Sequence, residues 1–214
     1  MHHGCFPHGS MVTETQIRSV FLSVTPPSVI PSYRMMTARR FQPDQIMLIN
    51  DAVAMAEELV SNHYKLSAAQ WLRRKYDVRT AADLSPEELI AGPFAQVIRY
   101  EGRKENADLN SEAFDFYKIC LQDQAILEAL DRSPSLRLFP FALYIITHEL
   151  IHIVRFTKFL QSFVATADER LAEEVRVHDN THEILKPVRI PDMAAVFDFY
   201  ARWRDAFDSL RDPE

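Results

Sequence analysis

The sequence predicts a mostly α-helical protein of the α+β class, in which a buried helix packs on a helix rich in glutamate, with a small β-hairpin or sheet before them. Residues 140–160 are apolar on most helical faces, which is typical of a core helix. Residues 94–100 and 114–121 are rich in Val, Ile, Phe and Tyr and flank a polar loop, which is typical of a hairpin. Because residues 114–130 also tolerate a helix, an all-α bundle is the alternative.

A chain of 214 residues with 47% hydrophobic and 25% charged residues suffices for one domain with a substantial core. Residues 1–35 contain much His, Pro, Ser and Thr and show no helical period. We therefore predict a disordered N-terminal tail over 1–35 and a single globular domain over 36–214.

The first half of this domain begins with a predicted helix. Apolar residues recur at helical spacing over 44–63, which predicts an amphipathic helix. A second, short helix is predicted over 67–75. Ser85 before Pro86 is typical of a helix start, with serine as the N-cap and proline in the first turn.

After the hairpin, a turn at 131–136 leads into the apolar helix at 140–160. The stretch 167–185 is charged and amphipathic and predicts another helix. A final helix is predicted over 191–210, where apolar and aromatic residues recur at helical spacing.

Composition excludes several classes of function. The net charge of −6 gives no basic surface for nucleic acid, and neither a GxxxxGK[ST] nor a GxGxxG string occurs. The apolar run 139–146 is too short to span a bilayer, and no segment resembles a signal peptide. Cys5 and Cys120 are expected to be free thiols in a reducing compartment. We thus predict a cytoplasmic protein without nucleic-acid or membrane partners.

The motif with most chemical content is His-Glu-Leu-Ile-His at residues 148–152, inside the apolar helix. Residues four apart lie on one helix face, so His148 and His152 can bind one metal ion together. Glu149 stands beside the first histidine and can take a proton from a metal-bound water. Because buried polar side chains need partners, a metal ion is the natural one here. Two core histidines hydrogen-bonded to other protein groups are the alternative.

This stretch resembles the zinc-binding helix of the zincin metallopeptidases. The resemblance implies one zinc ion bound by His148 and His152, with Glu149 as general base, metal-bound water as nucleophile and a peptide or protein as substrate. The metzincin subgroup continues as HExxHxxGxxH, whereas this chain has Arg155 and Lys158 at the glycine and third-histidine positions. The gluzincin subgroup instead takes its third ligand from a glutamate on a later helix, and the resemblance to this subgroup covers about residues 110–185.

The helix at 167–185 is the source of that glutamate. Its apolar and histidine positions predict an inward face: Leu171, Val175, His178, His182 and Leu185. At about 100° per residue, Glu174 falls roughly 40° from His178 and Glu173 about 140° away, toward solvent. We therefore predict Glu174 as the third ligand, with Glu173 in reserve and Glu169 as a weaker candidate.

Three further side chains are expected near the metal. His178 and His182 are reserve ligands, or they orient a ligand or donate to an oxyanion. Tyr144, one turn before His148, is a candidate for oxyanion stabilisation. The resemblance also implies that residues 117–123 form an edge strand, which would bind an extended peptide.

Two other interpretations stay open. In a ferritin-like bundle with two iron ions, Glu149 and His152 would pair with Asp179 and His182. The bridging carboxylates of that bundle would then be Glu57 or Glu58, and Glu128. In the other interpretation, the metal site is catalytically inactive and the chain is a structural or regulatory module.

Overall fold

The computed structural model describes residues 16–18, 39–67, 75–102, 114–158 and 166–201. Its helices are α1 (Pro43–Tyr64), α2 (Asp123–Arg132), α3 (Leu138–Thr157), α4 (Ala167–Leu185) and α5 (193–201). Its strands are β1 (Gln16–Arg18), β2 (Lys75–Arg79), β3 (Ala95–Gly102) and β4 (Phe114–Leu121), and a short 3-10 turn covers Pro86–Glu88. The protein is therefore mostly helical with a small sheet, as predicted.

The four described strands form one mixed sheet in the order β1-β3-β4-β2. β3 and β4 are the predicted hairpin: they pair antiparallel, with Ala95 opposite Leu121 and Gly102 opposite Phe114. β1 pairs antiparallel with β3, and β2 pairs parallel with β4. The expectation that residues 117–123 form an edge strand is wrong, because β4 is bonded on both sides. The outer strands of this sheet are β1 and β2.

α3 is the centre of the core. Every one of its residues from Pro140 to Phe156 is buried. α1 and α4 pack against it, and so do β3 and β4. The helix is long and apolar enough to cross a membrane, but 89% of its most apolar window is buried inside the protein, which is the state of a core helix.

The predicted helices at 44–63, 140–160 and 167–185 are confirmed as α1, α3 and α4, with ends shifted by at most three residues. α4 begins where Thr166 and Glu169 form a capping box: the Glu169 N–H donates to the threonine hydroxyl, and the Glu169 carboxylate accepts from the Thr166 N–H at 2.8 Å. Similarly, Glu88 accepts from the N–H of Ser85 at the predicted start. That segment, however, extends only as the 3-10 turn.

Several predictions differ from the structure or lie outside it. The helical interpretation of 114–130 is wrong for the part that forms β4 and correct for the part that forms α2. The range spans both elements, which are separated by a single residue. The predicted helix at 67–75 lies mostly outside the described residues, and Lys75 begins β2. The predicted helix at 191–210 is described only as α5. The predicted tail 1–35 also lies outside, except for β1.

Candidate metal centre

The HELIH motif lies on α3, on the side that faces α4. The helical repeat places His148 and His152 one turn apart, and α4 brings Glu174 opposite them. His148 is 4% exposed, His152 is fully buried and Glu174 is 6% exposed. The side chain predicted as the third ligand therefore meets the two histidines in the core between the helices.

The three side chains form a tight triangle. The Nε2 atoms of His148 and His152 are 3.1 Å apart. Oε2 of Glu174 lies 3.2 Å from Nε2 of His148, and its Oε1 lies 3.3 Å from Nε2 of His152. Ligands placed tetrahedrally at about 2.0–2.1 Å from a zinc ion would be about 3.3 Å apart. The spacing of the triangle thus suits a metal ion bound to all three residues.

Several polar atoms of the triangle lack ordinary partners. Among the described residues, neither carboxylate oxygen of Glu174 receives a hydrogen bond of good geometry, and Nδ1 of His148 has no hydrogen-bond partner. A buried carboxylate without donors is costly, and a bound cation would satisfy it. His148, His152 and Glu174 could therefore hold a metal ion, and no other group of this kind occurs in the described part of the chain.

The charges of the triangle also suit a metal. Burial lowers the pKa of His148 and so favours the neutral imidazole, although Glu174 opposes this in part. Burial alone would raise the pKa of Glu174, but the two histidines outweigh it and hold the pKa well below its ordinary value. Neutral imidazole and ionised carboxylate are the forms that bind metal ions.

Glu149, the predicted general base, is buried beside this triangle and is 1% exposed. Its Oε2 has no hydrogen-bond partner among the described residues. Burial raises its pKa to about 8; His152 lowers the pKa and Glu174 raises it further. The motif thus places a buried carboxyl group with a raised pKa next to the candidate ligands.

Tyr144 and His178, the other predicted catalytic residues, are brought together on the α4 side of α3. The Tyr144 hydroxyl lies 2.9 Å from Nδ1 of His178. The centres of the His178 and His148 rings are 4.4 Å apart. His182, by contrast, is half-buried and packs on Phe197, with ring centres 4.4 Å apart, and it does not join the triangle.

The prediction that Glu173 faces solvent is wrong. Glu173 is 4% exposed and forms a two-pronged ion pair with Arg155 of α3. Val175, placed on the inward face by the helical wheel, is only half-buried. The buried face of α4 therefore includes Glu173 and turns partly away from Val175, compared with the predicted face. Arg155 on the facing helix makes this possible, because it neutralises the buried carboxylate of Glu173. As a reserve ligand, Glu173 is already occupied by this partner.

Tyr200 of α5 was not identified as a site residue from the sequence. It is 7% exposed, and its ring stacks on that of Tyr144 at 4.1 Å and 15°. The ring of His178 lies 5.3 Å from it, and burial raises the Tyr200 pKa well above its ordinary value. In the sequence, Tyr200 is one of several aromatic residues in the last predicted helix, and nothing in their pattern distinguishes it.

The carboxylates of the two-iron interpretation lie elsewhere. Glu57 accepts a hydrogen bond from the hydroxyl of Tyr76, and Glu58 and Asp179 are exposed. Glu128 accepts a hydrogen bond from a neighbour on α2. None of these four belongs to the metal-ligating group found in the described residues.

Comparisons of the chain with models of known protein families, with curated proteins and with solved structures find no match. The functional argument therefore rests on the HELIH motif and on the geometry around it. That geometry is a buried His-His-Glu triangle with an acidic residue, Glu149, beside it.

Proposed function

We propose that the protein is a zinc-dependent hydrolase of the metallopeptidase type. His148, His152 and Glu174 would be the zinc ligands. Two imidazole nitrogens and one carboxylate are a common ligand set of catalytic zinc, in which three protein groups leave a fourth position open. Their 3.1–3.3 Å separations and the unsatisfied oxygens of Glu174 support this assignment.

Glu149 is the observation that carries the catalytic part of the proposal. A purely structural metal site gains nothing from a further buried carboxyl group, and burying one without a full set of partners destabilises the fold. Glu149 is buried and has an oxygen without a partner in the described structure, and burial raises its pKa to about 8. Perturbed carboxyl groups of this kind are concentrated at catalytic sites.

The residues of the chain then take separate roles. When bound, zinc supplies Lewis acidity and makes water a stronger acid. In its ionised form, Glu149 accepts a proton from the attacking water and passes it to the leaving amine. If the Tyr144 hydroxyl donates to Nδ1 of His178, the ring proton lies on Nε2, which becomes a hydrogen-bond donor for an oxyanion.

The proposed substrate is a peptide or protein, as the resemblance to the zincins implies. A cytoplasmic location agrees with Cys120, which is free and buried within β4. Because β4 is an inner strand, a substrate that adds to the described sheet would have to pair with β1 or β2.

A second candidate is a metal-binding module without hydrolytic activity. The side chains of the three ligands are between 0% and 7% exposed. Metal sites without an open position for water or substrate are typical of structural metal ions, whereas a substrate must be able to reach a catalytic metal ion. This candidate shares the ligands of the first and differs only in the role of Glu149.

The change Glu149→Gln separates the two candidates. We expect the variant to keep one zinc per chain, because Glu149 is not a ligand, and to lose at least about 100-fold in hydrolysis, the usual contribution of a general base. Zinc content would be measured by elemental analysis and hydrolysis on a mixture of quenched fluorescent peptides.

Glu169→Gln, which changes an exposed carboxylate on α4, is the control. Equal hydrolysis by Glu149→Gln and the wild type would contradict the catalytic role. Zinc binding without any hydrolysis in the wild type would support the inactive module.

A further inference from the structure

A second buried charged cluster joins the helices next to the metal ligands. Arg155 of α3 donates from both Nε and Nη2 to the two carboxylate oxygens of Glu173 on α4, with Nη2 3.1 Å from Oε2. The two residues are 9% and 4% exposed. Arg176, one turn further along α4, donates to the same carboxylate. Both oxygens of Glu173 are thus engaged by guanidinium groups.

The cluster also reaches α1. The hydroxyl of Tyr64, the last residue of that helix, accepts a hydrogen bond from Asn180 of α4 at 3.3 Å. Burial raises the pKa of Tyr64, and the nearby charge of Arg155 lowers it in part. Arg155 thus pairs with α4, and its charge acts on the residue that ends α1. We call these five residues the Arg155 network: Tyr64, Arg155, Glu173, Arg176 and Asn180.

Such a network is a poor way to stabilise a core. The free energy lost when two charges leave water offsets much of the free energy gained from their attraction. Apolar side chains of similar size therefore often stabilise a fold equally well. A two-pronged arginine–carboxylate pair, however, fixes distance and orientation, because the planar guanidinium accepts only a narrow range of approaches. The network is therefore better suited to setting the geometry of α3 and α4 than to supplying stability.

The pair lies where that geometry matters most. Arg155 follows His152 by three residues on α3, and Glu173 directly precedes Glu174 on α4. Glu174 has no well-formed hydrogen bond among the described residues that would hold its carboxylate in place. Its position opposite the histidines hence depends on how α4 is rotated and shifted along α3, which the neighbouring pair constrains.

We propose that the Arg155–Glu173 pair is a positioning device for the metal centre: it sets the rotation of α4 so that Glu174 meets His148 and His152. This inference rests on the proposed zinc site. Arg155 and Glu173 do not bind the metal in this arrangement and act only through Glu174. Groups that orient a metal ligand without binding the metal typically change its affinity by about 10–100-fold when they are altered.

The test compares zinc affinity with fold stability. The double change Arg155→Met and Glu173→Leu removes both charges and keeps apolar volume. We expect its zinc dissociation constant, measured in competition with a chromophoric chelator, to rise by about 10–100-fold. Urea unfolding of the metal-free protein would show that the variant is folded. The control is the double change Lys118→Met and Glu88→Gln. It removes another ion pair that contains a buried carboxylate, and no described contact joins this pair to the triangle.

A purely structural role would change unfolding and leave the affinity for zinc unaltered, as expected for the control. That result in the Arg155 and Glu173 variant would overturn the inference and leave the zinc site standing. If the wild type binds no zinc, the proposed function fails and this inference fails with it. If the double variant does not fold, Arg155→Lys replaces it, since lysine keeps the charge but lacks the two-pronged geometry. A zinc affinity of Arg155→Lys equal to that of the wild type would likewise overturn the inference.

Discussion

Within the triangle, Glu174 is the residue that lies outside the HELIH motif, and removing its charge is the most direct test of the triangle. The change Glu174→Gln keeps the size of the side chain and removes the anion. We expect zinc affinity to fall by more than about 100-fold, beyond the loss typical of groups that only orient a ligand. Competition with a chelator measures this. Asp168→Asn, an exposed change on the same helix, should leave the affinity unaltered; equal effects of the two changes would contradict the assignment.

The two adjacent glutamates show what a helical wheel can and cannot predict. Glu174 could be chosen from the sequence because its angle to His178 is a local property of one helix. Glu173 was misplaced because its burial depends on Arg155, a charged partner on another helix, 18 residues away. A helical wheel places residues by their angle on a single helix, and it contains no information about partners on another helix.

Glu88 offers a prediction on pH. Burial alone would raise its pKa, but hydrogen bonds from Lys118, Tyr100 and the backbone of Ser85 outweigh this and hold the pKa below its ordinary value. A lowered pKa means that the charged form stabilises the fold above the ordinary pKa of glutamate, and that this contribution is lost as the pH falls through the folded value. Glu88→Gln should therefore destabilise the protein by about 1–3 kcal/mol at pH 7 and by much less near pH 3.

Urea unfolding of Glu88→Gln and the wild type at both pH values measures this difference. Glu87→Gln, an exposed neighbour, is the control and should change little at either pH. A destabilisation by Glu88→Gln that is equal at pH 7 and pH 3 would show that the charge of Glu88 contributes nothing.

Among the elements, α3 has the largest share in the core. Leu143 is fully buried five residues before the motif, so Leu143→Ala should lower the free energy of unfolding by about 2–5 kcal/mol through lost contacts and a cavity. Leu48→Ala on α1 is the matched control, because Leu48 is 39% exposed, and it should stay within about 0.5 kcal/mol of the wild type. Denaturant unfolding compares them; similar losses would contradict the placement of α3 at the centre.

The helices were predictable because their patterns are local. α1 and α4 show amphipathic spacing, and the run in α3 is apolar on most faces. β2 was not predicted, because its pairing with β4 joins Lys75 to Phe116 across a long stretch of sequence. The same pairing makes β4 an inner strand, so the error about the edge strand and the omission of β2 have one cause. Short strands with distant partners leave little trace in sequence patterns.

For the molecule as a whole, a bound metal ion should stabilise the folded state, because it would link α3 to α4. A ligand that binds only the folded state at about 100 times its dissociation constant stabilises that state by about 2.7 kcal/mol, or roughly 5–10 °C in melting temperature at this chain length. We expect this shift when zinc is added to the metal-free protein. Differential scanning calorimetry measures it, and chelator should reverse it.

Magnesium is the matched control for this experiment, because it prefers oxygen ligands and the triangle contains two nitrogens. Glu174→Gln should show a much smaller zinc shift than the wild type. A zinc shift of equal size in the wild type and in Glu174→Gln would place the bound ion outside the triangle.

The order of the strands has a consequence for how the chain is assembled during its synthesis. β1 and β2 leave the ribosome before β3 and β4, yet each outer strand can pair only with one of those later inner strands. A nascent chain that has not yet produced β4 therefore carries β2 without its partner. Exposed strand edges of incomplete chains favour aggregation. Fragments that stop before residue 114 should consequently be far less soluble than the chain of 214 residues.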